Sequence, residues 1–416
     1  MLPIITFIYP LFGILIMLII LFYGVVTNVS LNFTSKTKHN YLMWALSFGV
    51  LAGMYGYTFD YTYNDLFRYA EQVVYYFNGN ISTIFTNDSE FLYVRDILFY
   101  IVSKIGDVHI LPFIVGFVTY SLVFYITFDY MCRTNISFKL VNLICILSLV
   151  ISIVTPYTVI GNTRNIFAAT IIFFAAYREL IQEKKGILTY ILYIIPCGIH
   201  TSAVVYVILR LSITLIQKMK YTTIVISFLI PLVVKMMYNI FSGINSNFIL
   251  LIIVKNMIDK AYFYLFSNIK VVGVNALYDS IIRNYGLICL ITIVVLTILD
   301  KDIFENKYMS FYFGNIICAF SVYSVSAGAF WRFEALALMF FPLILTYIKK
   351  KLMSDKMYKS LRIAKYLVSC IVISSFFIAY LNYIYQYDDL LTTLLKICST
   401  SGVNILVECI HQLIHY

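Results

Sequence analysis

Long apolar segments separated by short polar ones dominate the chain. Residues 2–26, 140–154, 221–234 and 287–299 contain no Asp, Glu, Lys or Arg. With some tilt, segments of this kind are long enough to cross roughly 30 Å of hydrocarbon as helices. The pattern therefore predicts an all-α polytopic membrane protein, with residues 1–416 forming a single multi-span domain.

Basic residues divide the apolar segments into pairs. Because basic residues concentrate in short cytoplasmic loops, we assign six clusters to the cytoplasmic side: Lys36/Lys38, Arg133/Lys139, Arg178/Lys184/Lys185, Lys218/Lys220, Lys301/Lys307 and Lys349 to Lys365. The spacing predicts about twelve transmembrane helices with both termini outside. Their approximate bounds are 3–28, 41–59, 109–128, 140–157, 166–180, 187–199, 202–217, 222–241, 285–299, 308–327, 333–347 and 366–384.

The segment between Lys185 and Lys218 tests this assignment, because about thirty apolar residues there have positive charge at both ends. A single span would put the two flanking clusters on opposite sides of the membrane. Pro196 and Gly198 interrupt the middle of the segment, which favours two short helices that meet at an outward-facing bend. The bend would place His200 in the outer part of the membrane.

Two outer segments, 59–108 and 242–285, are too long and too polar to be simple turns, and long loops often carry function. Each contains an amphipathic stretch, 66–77 in the first and 249–266 in the second, that we expect to lie along the membrane interface. The tail, 385–416, is moderately apolar, and its side of the membrane is left open.

Composition agrees with a membrane protein. The chain is 62% hydrophobic and only 12% charged, whereas soluble domains are about one quarter charged. The net charge of +10 is spread over small clusters, so nucleic acid is not an expected partner. The eight cysteines occur singly and form no CxxC motif, so neither a zinc site nor a disulfide framework is predicted.

Five arginines fall on the predicted outer side, against the usual bias, whereas most lysines fall in the cytoplasmic clusters. They are Arg68, Arg95, Arg164, Arg283 and Arg332. A guanidinium can hold a phosphate or carboxylate through two parallel hydrogen bonds, so these arginines suggest an anionic ligand. Arg164 and Arg332 each precede an apolar helix, whose N-terminal amides also favour anions. The alternative is that each arginine pairs with a carboxylate or a lipid headgroup.

Other candidate residues lie in the first outer loop and in the predicted hairpin. If a helix begins near Asn64, then Asp65, Arg68 and Tyr69 share one face; the alternative is a capping aspartate with a solvated ion pair. His200 is the one histidine of five inside an apolar hairpin. Its imidazole suits a general base, although a histidine bonded to backbone is the simpler interpretation.

Together these residues resemble the EpsG-type, Wzy-like polysaccharide polymerases of bacterial envelopes. The resemblance covers most of the chain in order and rests on Asp60-Tyr61, Asp65 to Tyr69, Arg164 with the following Asn-Ile-Phe-Ala-Ala, His200 with the following Thr-Ser-Ala-Val, and Arg332. The family usually has Gly before its first-loop Asp-Tyr, whereas Phe59 stands here. Which of Asp60 and Asp65 matches the family carboxylate therefore stays open.

The resemblance implies a GT-C-like membrane glycosyltransferase that joins undecaprenyl-pyrophosphate-linked oligosaccharide units, of O-antigen or exopolysaccharide type, on the periplasmic face of the bacterial inner membrane. Arg164 and Arg332 would hold the pyrophosphate, and His200, Asp65 or Glu71 would deprotonate the acceptor hydroxyl. The remaining candidates for substrate binding are Arg68, Asp60, Tyr69 and Arg283. The resemblance implies no metal and no cofactor, and as partners it implies the lipid-linked oligosaccharide, membrane lipid and a chain-length regulator protein.

Two other functions are compatible with the same composition. A lipid-linked oligosaccharide flippase should carry charges inside its spans along a central cavity, for which Arg210, Lys235 and Glu334 are candidates, and it should have similar halves. No halves match in this chain. An O-antigen ligase-like transferase would share the arginines and the histidine, and sequence separates it poorly from a polymerase.

Overall fold

The computed structural model describes residues 1–59, 65–86, 92–153, 156–161, 163–218, 222, 229–243, 248–266, 287–288, 290–291, 294–295, 301–323, 325–353 and 390–415. They form twenty α-helices, one 3-10 helix (Lys301–Glu305) and two short strands. The helices are α1 (Leu2–Ile8), α2 (Pro10–Val26), α3 (Lys38–Tyr57), α4 (Asp65–Tyr75), α5 (Thr83–Thr86), α6 (Tyr93–Ile105), α7 (Ile110–Arg133), α8 (Leu140–Ile153), α9 (Pro156–Gly161), α10 (Thr163–Leu180), α11 (Ile187–Cys197), α12 (Ala203–Leu211), α13 (Ile213–Lys218), α14 (Ile230–Ser242), α15 (Ile249–Phe266), α16 (Lys307–Tyr323), α17 (Ala327–Met339), α18 (Phe341–Met353), α19 (Leu390–Ser399) and α20 (Gly402–His415). The strands are β1 (Ser30–Asn32) and β2 (Ser137–Lys139).

The predicted all-α class is confirmed, whereas the predicted number of spans is not. By length and composition, α7 is the one helix of the described residues that could cross a membrane alone. Ala329–Met339 and Phe341–Lys350 would qualify together, but they are bent by 41°. Three shorter helices, α2, α11 and α14, are also apolar. About twelve spans therefore stays a prediction, and two of the proposed spans, 285–299 and 366–384, lie largely or wholly outside the described residues.

Prolines divide two of the predicted spans. The span 3–28 consists of α1 and α2, which are separated at Tyr9 just before Pro10. The span 333–347 is wrong in its bounds, because α17 begins at Ala327 and the chain bends between α17 and α18, where Pro342 is the second residue of α18. Proline has no N–H to donate and its ring collides with the preceding turn, so it begins a new helix more readily than it continues an old one.

Small residues allow α3 and α7 to pack closely. A methyl group added at Gly116 of α7 would lie 2.6 Å from the Ala52 carbonyl oxygen of α3, and one added at Gly53 of α3 would lie 3.0 Å from the Phe113 carbonyl oxygen of α7. Glycines at such positions let helix backbones approach each other where apolar burial alone provides little driving force, as in a bilayer. This pair of helices has the most extensive packing among the described elements.

A buried carboxylate joins three helices at one end of the bundle. Asp129 of α7 makes ion pairs with Lys38 and with Arg133 Nε, the latter at 2.7 Å. It also accepts hydrogen bonds from the Tyr177 hydroxyl, at 2.7 Å, and from Gln182 Nε2, at 3.1 Å. We call this end of the bundle, where Asp129 gathers these groups, the basic end.

The basic end collects clusters that the sequence assigns to one side of the membrane. Strands β1 and β2 follow α2 and α7 and pair antiparallel, with Leu31 opposite Phe138. Lys349 of α18 donates to the Ser137 carbonyl oxygen of β2. Four of the six predicted cytoplasmic clusters thus meet at one end, as a common cytoplasmic location requires.

The structure confirms the predicted hairpin between Lys185 and Lys218. Both helices return to the same residue near the end of α10, because Glu179 accepts from the Tyr193 hydroxyl of α11 at 2.8 Å and from Arg210 Nε of α12 at 2.7 Å. The bend between α11 and α12 lies at the opposite end of α10, where Ser202 contacts Asn165. An α-helix rises 1.5 Å per residue, so the two ends of α10 are roughly 26 Å apart. We call this second end the cavity end.

The first outer loop and the tail lie at the cavity end. Helix α4 packs against α6 and α9, and the tail helix α20 packs against α6 and α1. The Ser401 hydroxyl between α19 and α20 donates to the Ile8 carbonyl oxygen at 2.9 Å. The packing thus places the described tail, whose side the sequence left open, with the first outer loop.

Cysteine labelling tests which end of the bundle faces out. In a chain whose native cysteines are replaced, we expect Gln72→Cys on the exposed face of α4 to react with a membrane-impermeant maleimide in intact cells. Lys184→Cys, in the exposed connection between α10 and α11, should react only after permeabilisation, because basic loops stay inside. Labelling of Lys184→Cys in intact cells would contradict the topology, and full reaction of both variants in detergent is the control.

Candidate functional site

A cavity of about 320 Å³ lies at the cavity end of the bundle. It is enclosed by the 200–202 turn and by α12, α14, α15, α16 and α17, and most of its wall is apolar. Its polar and charged lining residues are few, and they are Asn165, His200, Thr201, Ser202, Tyr206, Lys260, Ser321 and Arg332. A cavity with apolar walls and a few convergent polar groups is typical of a ligand site.

The bend after α11 positions His200. The Gly198 carbonyl oxygen accepts from the Arg95 backbone N–H of α6 at 3.0 Å, and a methyl group added at Gly198 would lie 2.5 Å from Val94. The bend is therefore pressed against the start of α6. His200 follows with its side chain 8% exposed, and its backbone N–H donates to the Pro196 carbonyl oxygen at 3.0 Å.

Hydrogen bonds from the next helix hold the imidazole. The Ser202 backbone N–H donates to His200 Nδ1 at 3.1 Å, and Ser202 Oγ lies 2.7 Å from the same nitrogen. Ser202 Oγ also contacts the side-chain amide of Asn165 in α10. These three residues tie the hairpin bend to the first turn of α10.

Arg332 reaches the cavity from inside a helix. The Ser326 hydroxyl caps α17 by accepting from the Ala329 N–H at 3.2 Å, so Arg332 is the sixth residue of that helix. The expectation that it precedes the helix, next to free N-terminal amides, is wrong. The reason is that Ser326, a strong N-cap residue, starts the helix earlier than the apolar run suggests.

Arg164 stands beside the cavity, in the first turn of α10. Its Nε donates to the Tyr69 hydroxyl of α4 at 2.9 Å, and its guanidinium carbon lies 4.6 Å from the centre of the Tyr69 ring. Tyr69 is 4% exposed. The contact combines a hydrogen bond with a cation–π interaction and fixes the first outer loop against the start of α10.

Lys260 is a site residue that the sequence did not reveal. We expected 249–266 to lie along the interface, but α15 packs against α14 and α17 and contributes Lys260 to the cavity wall, with Met257, Ile258, Ala261 and Leu265 beside it. The charged pair Asp259-Lys260 within an apolar helix is the signal that could have indicated it.

Four cations act electrostatically on the His200 imidazole. In decreasing order of strength they are Arg332, Arg164, Lys260 and Arg95. They come from four separate helices, α17, α10, α15 and α6. No Asp or Glu of the described residues lines the cavity, so the site is positive and suits an anion.

Arg95 is paired with a neighbouring carboxylate. Its guanidinium binds Asp96 through two hydrogen bonds, Nε to Oδ1 at 2.8 Å and an Nη to Oδ2 at 3.0 Å. Both side chains are buried. Asp96 occupies the two N–H groups with which Arg95 could otherwise bind a phosphate. Arg95 therefore contributes positive charge near the site and is not a candidate for direct contact with the ligand.

The other site residues predicted from the sequence lie away from the cavity wall or are not described. Arg68 and Glu71 lie on the exposed face of α4, while Leu66 and Tyr69 face inward, so Arg68 and Tyr69 do not share a face as expected. Asp65 is the first residue of α4, and the structure describes its backbone but not its side chain. Asp60 and Arg283 lie outside the described residues. The structure thus brings His200, Arg332, Arg164 and Tyr69 together, and leaves Arg68 and Glu71 away from the cavity wall.

The described part of the chain contains no evident metal-binding site. No three His, Cys, Asp or Glu side chains there are close enough to share a metal ion. Metal-independent chemistry stays a prediction.

The fold and the site define a helical protein with a cationic, largely apolar cavity at one end of its bundle. A family model described as the EpsG family matches residues 41–392, and the chain therefore belongs to the EpsG family. Membership supports a polysaccharide polymerase-like role in a membrane protein. Neither curated proteins nor solved structures gave a significant match.

Proposed function

We propose that this protein polymerises undecaprenyl-pyrophosphate-linked oligosaccharide repeat units on the outer face of the bacterial inner membrane. The observation that carries the proposal is the cavity itself. Arg332, Lys260 and His200 all line it, and the rest of its surface is mostly apolar. A pyrophosphate attached to a polyprenyl chain has the matching combination of charge and apolar surface. The family match supports the same chemistry.

The donor would bind by its pyrophosphate. Arg332 and Lys260 lie in the cavity wall and Arg164 beside it, so negative charge would be held by three cations next to a mostly apolar wall. Charge–charge attraction is stronger there than at an exposed surface. The polyprenyl chain would follow the apolar side chains of α14 and α15 toward the bilayer.

The transfer itself needs no redox step. The acceptor hydroxyl oxygen forms a bond with the anomeric carbon while the bond from that carbon to the pyrophosphate oxygen breaks. The departing polyprenyl pyrophosphate takes the electron pair, and the cations stabilise the charge that develops on it. The hydroxyl proton passes to a base, for which His200 in the cavity wall and Asp65 at the start of α4 are the candidates, whereas Glu71 lies on the exposed face of α4.

The three charges named from the sequence for a flippase lie away from the cavity. Arg210 is bonded to Glu179 and Lys235 is exposed. Glu334 is fully buried within α17. None of these three candidates lines the cavity.

A deletion strain examined on a polysaccharide gel tests the proposal. Loss of a polymerase should leave single repeat units at the surface, because donor units are still made and translocated but not joined. Absence of surface sugar would indicate a flippase instead, and polymer not joined to its final acceptor would indicate a ligase. Complementation with the wild-type gene is the control that assigns the result to this chain.

A further inference from the structure

The hydrogen bonds around His200 determine which ring nitrogen carries hydrogen. The Ser202 backbone N–H is an obligatory donor and points at Nδ1 from 3.1 Å. Nδ1 must therefore accept, which means that it carries no hydrogen. Since Ser202 Oγ also lies 2.7 Å from Nδ1, its hydroxyl hydrogen must point at this nitrogen as well.

The side-chain amide of Asn165 completes the pattern. As placed, its oxygen faces Ser202 Oγ, and its Nδ2 is buried without a hydrogen-bond partner among the described residues. One hydroxyl hydrogen cannot serve both Asn165 Oδ1 and His200 Nδ1. Rotating the amide by 180° keeps its shape and lets Nδ2, which has no partner as placed, donate one hydrogen to Ser202 Oγ. Asn165 is 4% exposed, so this choice matters, because a buried donor without a partner costs about 1 to 3 kcal/mol.

The other nitrogen, Nε2, is the one available to a ligand. No described residue forms a hydrogen bond with it, and the His200 side chain lines the cavity. The four surrounding cations oppose a positive charge on the ring. A neutral imidazole whose Nδ1 accepts must carry its hydrogen on Nε2.

We infer that Asn165 and Ser202 are positioning residues that hold His200 as the Nε2–H tautomer, so that it donates a hydrogen bond to an anionic oxygen of the ligand instead of serving as the base. The inference rests on the proposed function for the identity of that ligand, a pyrophosphate. His200 keeps its proton throughout the transfer. The acceptor's proton then goes to a carboxylate, for which Asp65 at the start of α4 is the remaining candidate, because Glu71 lies on the exposed face of that helix.

Nitrogen NMR of the purified full-length protein with ¹⁵N-labelled histidine tests the tautomer directly. The His200 signals are assigned by their absence in His200→Gln. We expect wild type to show hydrogen on Nε2 and none on Nδ1. Hydrogen on Nδ1, or a doubly protonated ring at neutral pH, would overturn the inference.

Two near-isosteric variants test the positioning residues. Asn165→Asp can only accept from the Ser202 hydroxyl, so it should draw that hydrogen away from Nδ1 and raise the fraction of His200 protonated there. Thr201→Val is the matched control, because Thr201 lines the same cavity but its hydroxyl forms no hydrogen bond with the ring among the described residues, and it should leave the protonation of His200 unchanged. An unchanged spectrum in Asn165→Asp would remove Asn165 from the role.

Activity separates a donor from a base. A glutamine amide can donate a hydrogen bond but cannot accept a proton at neutral pH, so His200→Gln should retain at least about tenfold more polymerisation than His200→Ala, for which we expect a loss of about 100-fold. Equal inactivity of the two variants, both present as folded protein, would support a base and contradict the inference. The NMR result does not depend on turnover, so a failure of the proposed function and a failure of this inference give different results.

Discussion

Arg164→Lys is expected to abolish long polysaccharide while the protein still reaches the membrane. Lysine retains the positive charge but cannot at once donate to the Tyr69 hydroxyl, stack on its ring and present a second edge to a phosphate, as the planar guanidinium does. Removing one such preorganised donor typically lowers turnover by about 100-fold or more. The measurement is the distribution of chain lengths on a gel when the variant complements a deletion strain.

The same helix supplies the control for this substitution. Arg178 lies at the basic end of α10, where its Nε donates to Thr189 Oγ1 at 3.0 Å, so Arg178→Lys makes the identical chemical change roughly 20 Å from Arg164. We expect nearly normal polymer from this variant. Full-length polymer from Arg164→Lys would mean that Arg164 only joins the first outer loop to the bundle.

Arg332→Ala is expected to weaken binding of a polyprenyl pyrophosphate and to remove long polymer. Arg332 lines the cavity and is the cation with the strongest electrostatic effect on His200. A hydrogen bond to a charged group contributes about 2 kcal/mol, which corresponds to an affinity lowered by roughly 30-fold. The measurement is the dissociation constant of a short-chain polyprenyl pyrophosphate for the purified protein, together with the gel.

Lys350→Ala is the matched control for charge. It lowers the net charge by the same amount on an exposed position of α18, the next helix along the chain, and should leave both the affinity and the polymer unchanged. Unchanged affinity in Arg332→Ala, with the protein folded and present in the membrane, would show that this arginine does not hold the anion.

Local signals in the sequence predicted a large part of the helical arrangement. Pro196 and Gly198 are residues that commonly end helices, and they are visible in the sequence alone. They correctly indicated the hairpin whose two helices both contact Glu179. Pro342 is a signal of the same kind, yet the apolar run around it was interpreted as one span. A continuous apolar run specifies burial, whereas only backbone chemistry specifies where a helix begins and ends.

The candidate site was predicted less completely. The sequence predicted that Arg164, Arg332 and His200 lie at one side of the apolar runs, and the structure brings all three together at the cavity end. Lys260 was missed because a lysine in an apolar helix has the same sequence pattern whether it faces lipid headgroups or a cavity. Arg68 and Tyr69 were assigned to one face because helical spacing alone does not reveal which direction the neighbouring helix approaches from.

The sequence by itself determined that the chain forms apolar helices, that basic loops gather at one end of the bundle and that Arg164, Arg332 and His200 lie at the other. These properties depend on the residues within each segment, so they can be deduced from it. Only the tertiary structure decided which polar groups meet, because Arg164 and Tyr69 are 95 positions apart and Asn165 and Ser202 are 37 apart. Contacts over such separations depend on how whole helices pack. The small residues that allow close packing do not indicate in the sequence which polar side chains the packing will bring together.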